Sequence, residues 1–323
     1  MVPRKLISVL TPCYNEEKNL EDIAHHVRTI FEKLPQYDYE HLFIDNYSTD
    51  TSRQILRQMS QRDHHIKAIF NLRNFGAIRS SFHGLLEARG DAVINMAADF
   101  QDPPEMIPAF LAHWEEGEKV VAAIKEESEE GFLMFRLRKT YYYLLDKVAE
   151  VPILQNFTGF GLYDREVMDI MRTLKDPNPY FRGLISELGF PVKKVLFKQP
   201  RRKRGITSTN FYWLYNFAVL GITSHSKLPL RLATMSGFVF SILFFFLGII
   251  YLVYKLVAWN SFSLGMAPLL IGVFFFCSLI LFFIGVLGEY IGMIHTHVLQ
   301  RPLVIEQERL NFNDLHYQEK SYV

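Results

Sequence analysis

"AADFQDPPE" spans Ala97 to Glu105 and follows the apolar run "AVIN" of residues 92–95. The chain ends what reads as a buried strand on an aspartate, adds a glutamine and a second aspartate, and halts at two prolines. Acids at the end of a core strand are costly unless positive charge meets them there. Asp99 and Gln101 are two residues apart, so an extended backbone would put both side chains on one face. Carboxylate and amide oxygens are the hard donors that Mg²⁺ or Mn²⁺ prefers, with phosphate and water completing the shell. Asp102, beside Pro103 and Pro104, reads as a cap of the next helix rather than a ligand.

The surrounding 125 residues alternate short apolar runs with helical patterns. Strands are expected at 6–12, 40–46, 66–71, 92–98 and 119–124, with helices over 16–34, from 51, over 77–88 and over 104–117. Near-continuous apolar strands between helices imply an α/β fold with a parallel sheet covered on both faces. Ligands bind such sheets beyond the carboxyl ends of the strands, and every polar cluster of interest falls at such an end. In "TPCYNEE" (11–17), Tyr14 offers a ring to stack on a base, and Glu16 or Glu17 offers acceptors for ribose hydroxyls or a base N–H. Acids there also suit a helix N-terminus. In "IDNYSTDTS" (44–52), Asp45 could accept from a ribose or a uracil N–H, or Ser48 and Asp50 could simply cap the next helix. "RNFGA" (73–77) lacks the paired glycines of a dinucleotide fingerprint, which argues against NAD. Further on, a helix is expected over 131–151, a loop over 154–167, a strand at 193–199 and a basic loop over 200–211.

Charge and hydropathy divide the 323 residues unevenly. The 35 Lys+Arg against 34 Asp+Glu leave a net charge of +1, with no nucleic-acid footprint. The uncharged stretches 233–254 and 268–288 each match the length of about 20 apolar residues that crosses a bilayer as a helix. Basic residues cluster before the first stretch (Arg201, Arg202, Lys203, Arg204, Lys227, Arg231), and only Lys255 lies between the two. The positive-inside bias then places both termini in the cytoplasm. The expected organisation is a cytosolic catalytic domain (1–210), interfacial amphipathic helices (211–231), a two-helix transmembrane hairpin (232–290) and a cytosolic tail (291–323). Cys13 and Cys277 lie too far apart in character to bridge, and a cytosolic domain keeps thiols reduced. The adjacent pairs His25-His26 and His64-His65 have the wrong spacing for zinc.

The ordered set "TPCYNEE", "IDNYSTD", "RNFG" and "ADFQDPPE" resembles glycosyltransferase family 2. Within that family it is similar to the polyprenyl-phosphate sugar transferases, the group of dolichol-phosphate mannose synthase and the bactoprenol glucosyltransferases. The resemblance runs from the N-terminus to Arg301-Pro302. It implies a GT-A catalytic domain, a UDP- or GDP-sugar donor, Mg²⁺ or Mn²⁺, a polyprenyl-phosphate acceptor and a homotetramer in the cytoplasmic membrane. By the same resemblance Pro12, Tyr14, Glu16 and Asp45 fall at nucleotide-binding positions and Asp99 and Gln101 at metal positions. The chain departs from the pattern at Ala97 and Gly159, where relatives carry acids, and at Asn46, where a second acid is usual.

A missing base need not matter. A phosphate monoester is largely ionised at neutral pH, since its second pKa is about 6. Such a nucleophile needs aiming, with cations on both phosphates. Arg136, Arg138 and Arg202 are the candidate catalytic cations beside Asp99, and Lys139, Arg201, Arg202 and Arg204 the candidates for holding the acceptor phosphate. The Arg201–Arg204 cluster could equally bind anionic headgroups. The sequence thus points to an inverting transfer of one sugar, glucose from UDP-glucose, onto undecaprenyl phosphate. A processive polysaccharide synthase would need a Gln-x-x-Arg-Trp motif and more spans, and a non-catalytic nucleotide-sugar binder remains the other alternative.

Overall fold

The computed structural model describes residues 4–126, 154, 156–174, 176–177, 179–200, 228–257 and 266–312. Its centre is an eight-stranded sheet in the order β7-β5-β6-β4-β1-β2-β3-β8. The strands are β1 (Lys5–Cys13), β2 (Tyr37–Asp45), β3 (Ile66–Asn71), β4 (Ala92–Asn95), β5 (Val120–Lys125), β6 (Phe157–Asp164), β7 (Val192–Phe197) and β8 (Glu306–Leu310). Helices α1 (Leu20–Glu32), α2 (Ser52–Arg62) and α4 (Ile107–Glu115) supply one core layer, and α3 (Ala77–Glu87), α5 (Arg165–Thr173) and α6 (Phe181–Glu187) the other. Two long helices, α7 (Leu228–Val257) and α8 (Met266–Leu299), follow.

Local pattern explains most of this. In α1 the buried residues Leu20, Ile23, Ala24, Val27 and Phe31 repeat at helical spacing, so one stripe faces the sheet. In β1, Ile7 and Val9 join the α1/α2/α4 core while Leu10 joins the other, as strand alternation requires. Both faces are covered, which is why these strands read as continuous apolar runs.

The order reverses beside β1: β2 and β3 extend to one side and β4 to the other, all parallel. This reversal opens the crevice where open α/β sheets bind ligands. The sheet is nevertheless mixed. β6 runs antiparallel between β4 and β5, and β8 runs antiparallel on β3. The expected loop over 154–167 is therefore largely a strand. Glycines 159 and 161 hide it in the sequence, and Gly161 has a cause: a Cβ there would lie 2.3 Å from the Val121 carbonyl oxygen. The strand expected over 92–98 stops at Asn95. Part of the expected cytosolic tail re-enters the catalytic sheet as β8.

Among the described residues one stretch, Phe275–Leu299, is long and apolar enough to cross a membrane by length and composition, with mean hydropathy 2.0 and none of it buried. The α8 helix continues past the expected end at Gly288, through Glu289, His295 and His297. At a rise of roughly 1.5 Å per residue its length is about 50 Å. Cys13 is buried and Cys277 exposed on α8, and both are free. The helix expected over 131–151, the basic loop 201–211 and the interfacial segment 211–227 lie outside the described residues.

Gly161→Ala should lower stability by about 3 kcal/mol, because a backbone oxygen cannot move aside as a side chain can. Thermal melting of the full chain checks this, with Gly292→Ala as a control for a helical glycine whose Cβ would meet nothing within 4 Å.

Candidate active site

The parallel register sets Cys13 at the end of β1 against Asp45 at the end of β2. The loops that follow therefore start side by side, and hydrogen bonds staple them. Asn15 N–H donates to Ser48 Oγ at 2.8 Å, and Thr49 N–H donates back to Asn15 Oδ1 at 2.8 Å. Thr51 Oγ1 donates to Glu17 Oε2 at 2.7 Å, and Glu16 N–H donates to Ser52 Oγ at 3.0 Å. Glu17 thus ties the two loops together. Asp50 accepts from Ser52 N–H at the start of α2, whereas Ser48 serves the neighbouring loop rather than that helix. Glu16 is buried and accepts from Asn19 Nδ2. Pro12 is half-buried within β1, and Tyr14 stands 40% exposed at the crevice.

Asp45 is completely buried at the end of β2. Burial pushes its carboxyl above the ordinary range, opposed by hydrogen bonds from Ser48 and by the Arg53 guanidinium. The Arg53 Nε lies 3.3 Å from Asp45 Oδ2. Cys13, between Asp45 and Glu16, has its thiol raised well up by burial and by these acids, so it is not a reactive thiolate.

Asp99 does not sit on extended backbone. The strand has ended, and residues 98–102 turn through Phe100, which takes a φ of 61°. Left-handed backbone is uncommon for a bulky residue. Here the Phe100 ring is buried in the core and packs edge-on against His26 of α1, with centroids 5.3 Å apart. Gln101 N–H donates to Asp99 Oδ1 at 3.1 Å, so the loop and not strand alternation relates the two residues. Asp102 is not a helix cap: its Oδ2 accepts from Ala97 N–H at 2.9 Å and closes the loop from inside. Burial pushes Asp102 up to about 6, and the nearby Asp99 charge adds to this, against Lys125 and Arg182. Asn15 and Tyr47 also have positive φ, of 56° and 69°. All three loops at the ends of β1, β2 and β4 therefore hold a non-glycine residue in left-handed backbone, as is frequent where a site is held in shape.

Asn46 stands where a second acid would be and acts as a clamp. Its Oδ1 accepts from Phe75 N–H at 2.9 Å and from Asn71 Nδ2 at 3.2 Å, and its Nδ2 donates to Asn74 Oδ1 at 2.9 Å. The end of β2 is thereby fixed to the "RNFG" loop. A cavity of ≈ 200 Å³ opens beside that loop, with Ser81, Phe82, Asn95, Thr158, Phe181 and Arg182 among its walls.

The fold therefore brings Pro12, Tyr14, Glu16, Asp45, Asp99 and Gln101 to the carboxyl ends of adjacent strands. Arg136, Arg138, Lys139, Arg201, Arg202 and Arg204 lie outside the described residues. Asn46 and Tyr47 lie inside the motif that ends β2, whereas Arg53 beside Asp45, and Lys125 and Arg182, whose charges act on Asp102, fall outside the strand-end motifs. Among the described residues no cluster of three His, Cys, Asp or Glu side chains forms a ready-made metal cage.

Residues 8–171 match the description "Glycosyl transferase family 2". The chain belongs to glycosyltransferase family 2. It is a glycosyltransferase. It is similar to an uncharacterized glycosyltransferase, YkcC, of Bacillus subtilis (strain 168), 34% identical over 93% of each chain. It is equally similar to the SfII prophage-derived bactoprenol glucosyl transferase of Shigella flexneri, at 34% over 93% of this chain and 96% of the relative. The prophage bactoprenol glucosyl transferase homolog of Escherichia coli (strain K12) is 32% identical over 93% and 97%. Among solved structures, glucosyl-3-phosphoglycerate synthase from Mycobacterium tuberculosis with Mg²⁺ and UDP aligns at 18% identity, over 68% of this chain and 77% of that one, with a TM-score of 0.48.

Asn46→Leu in this family member would leave the Phe75 N–H and the Asn71 amide without their buried acceptor. The expected loss is about 3 kcal/mol, read as a lowered unfolding midpoint in thermal or chemical denaturation.

Proposed function

We propose that the chain transfers a single glucose from UDP-glucose to a polyprenyl phosphate such as undecaprenyl phosphate, with inversion, at the cytoplasmic face of the membrane. The observation that carries this reading is the meeting of the stapled β1 and β2 loops, bearing Tyr14 and Asp45, with the Asp99 loop after β4, at the β1/β4 reversal of a sheet whose chain continues into long apolar helices. The relatives named bactoprenol glucosyl transferase, matched along nearly their whole length, support the lipid acceptor and the sugar.

The nucleotide would lie over the ends of β1 and β2. Tyr14 offers its exposed ring to the base, and Asp45 and Glu16 offer acceptors to the base N–H or the ribose hydroxyls. The Asp99 loop suits a divalent cation. Its donors are hard oxygens, and burial, with the nearby Asp99 charge adding to it, pushes Asp102 up to about 6, a cost that positive charge would relieve. Asp99 and Gln101 would hold Mg²⁺ or Mn²⁺, which when bound offsets the charge of the departing diphosphate. With Ala97 in place of an acid the chain offers one carboxylate fewer to the ion.

The acceptor phosphate needs no deprotonation by the protein. One of its oxygens attacks the anomeric carbon in line, the bond from that carbon to the UDP oxygen breaks, and UDP leaves with the electron pair. The chain's part is to bind, orient and neutralise. Arg136, Arg138, Lys139, Arg201, Arg202 and Arg204 are proposed for the acceptor side. Residues 1–210 would form the cytosolic domain, 211–231 the interfacial helices and 232–290 a membrane hairpin with both termini inside. A two-helix hairpin makes a poor bundle alone, which favours a homo-oligomer, with a tetramer the state proposed.

Asp99→Ala should reduce turnover at least about a hundredfold while leaving the fold intact, and chelation of divalent ions should do the same to the parent. Transfer from labelled UDP-glucose to a polyprenyl phosphate, with Mn²⁺ or Mg²⁺ restored after chelation, checks both. Unchanged turnover in Asp99→Ala contradicts the metal assignment.

A further inference from the structure

Arg53 lies in the first turn of α2, where a positive side chain opposes the helix dipole. Its surroundings account for its being there. The side chain is only 18% exposed, with Nε 3.3 Å from Asp45 Oδ2. It is stacked 5.2 Å from the Phe70 ring and 5.7 Å from the Tyr47 ring. On the far side its Nη2 donates to Gln307 Oε1 of β8 at 2.8 Å. One helical turn on, Arg57 lies over the same Phe70 ring at 4.7 Å and pairs with Glu308 of β8 at 2.7 Å. The end of β8 is fastened again through Arg309 to Glu87 and Glu306, and through Glu306 to His83.

We propose that Arg53 is a positioning residue of the nucleotide site, aligning Asp45 and Tyr47 for the donor's nucleoside, and that β8 holds Arg53 in place. The inference rests on the nucleotide reading of Asp45 given above. Asp45 is wholly buried, so its orientation depends on the few groups that touch it, and Arg53 is the cation paired with it among the described residues. Tyr47 is 42% exposed beside it at the crevice, a second aromatic face besides Tyr14. The guanidinium thus joins both to a strand that the chain adds after its apolar helices. Arginine suits this role where lysine would not, since a planar fork can stack on rings and still reach two partners in different directions. Neither Arg53 nor Gln307 needs to touch the donor.

The test uses the full chain in detergent micelles, with UDP as the binding probe and UDP-glucose as the substrate. Arg53→Gln should weaken UDP binding roughly tenfold or more, the scale of removing one partner from a mostly buried ion pair. It should raise the KM for donor by a similar factor with kcat little changed at saturation. Gln307→Ala, an exposed position remote from the donor, should raise both constants roughly threefold. Gln307→Glu, which keeps an acceptor for Arg53, should retain the parent's affinity. A merely structural role for Arg53 would lower the folded fraction and leave the Kd of the folded protein unchanged. Folded Arg53→Gln and Gln307→Ala that bind UDP as the parent does would overturn the proposal, as would a fall in kcat with KM unmoved. If the parent itself binds neither UDP nor UDP-glucose, the nucleotide reading fails and this inference falls with it. If the parent binds and the variants match it, this inference alone is lost.

Discussion

A carboxylate with no access to water, set at the carboxyl end of β2, is the constraint around which this molecule is arranged. Asp45 cannot be solvated, so it must be answered by the protein. Ser48 donates to it from the following turn and Arg53 faces it from α2. Those two answers fix the β2 loop. The fixed β2 loop in turn holds the β1 loop through Asn15 and Glu17, and the "RNFG" loop through Asn46. The site is thus a lattice of short polar contacts resting on a sheet covered on both faces.

The Asp99 loop meets the same difficulty differently. It has two acids within reach of each other, Asp99 and Asp102, and one is turned inward onto the Ala97 amide. The backbone accepts left-handed geometry at Phe100 to make that turn, and the buried ring offsets the cost by joining the α1 core. Both acids are buried, and their charges lie close together just beyond the end of β4. The site chemistry and the fold are therefore not separable: the residue that strains the loop is also the one that anchors it.

What could be read in advance followed from periodicity. The strands β1, β2, β3 and β5 and the helices α1 to α4 announce themselves by apolar spacing, and the strand-end position of Asp45 follows from them. The β6 strand does not announce itself, because Gly159 and Gly161 interrupt its alternation, the latter where the Val121 carbonyl approaches. The face shared by Asp99 and Gln101 was expected from strand geometry, yet the strand ends at Asn95 and a turn replaces it. Asp102 resembles a cap because prolines follow it, and only the Ala97 contact gives its role away. Asn46 shows in the sequence only as a missing acid; its clamp, like the contacts of Arg53, is made with other elements and leaves no local pattern. Arg53 left one clue, a cation at the wrong end of a helix.

The placement of β8 has a consequence for how the molecule is made. A ribosome completes β1 through β7 first, then the two long apolar helices, and only afterwards the segment that pairs with β3. Until that moment the outer edge of β3 offers unpaired amide and carbonyl groups to any passing strand. Synthesis thus leaves the nascent sheet open along one side while its apolar helices emerge, and the catalytic half acquires its last hydrogen-bonded border only once they have cleared the exit tunnel.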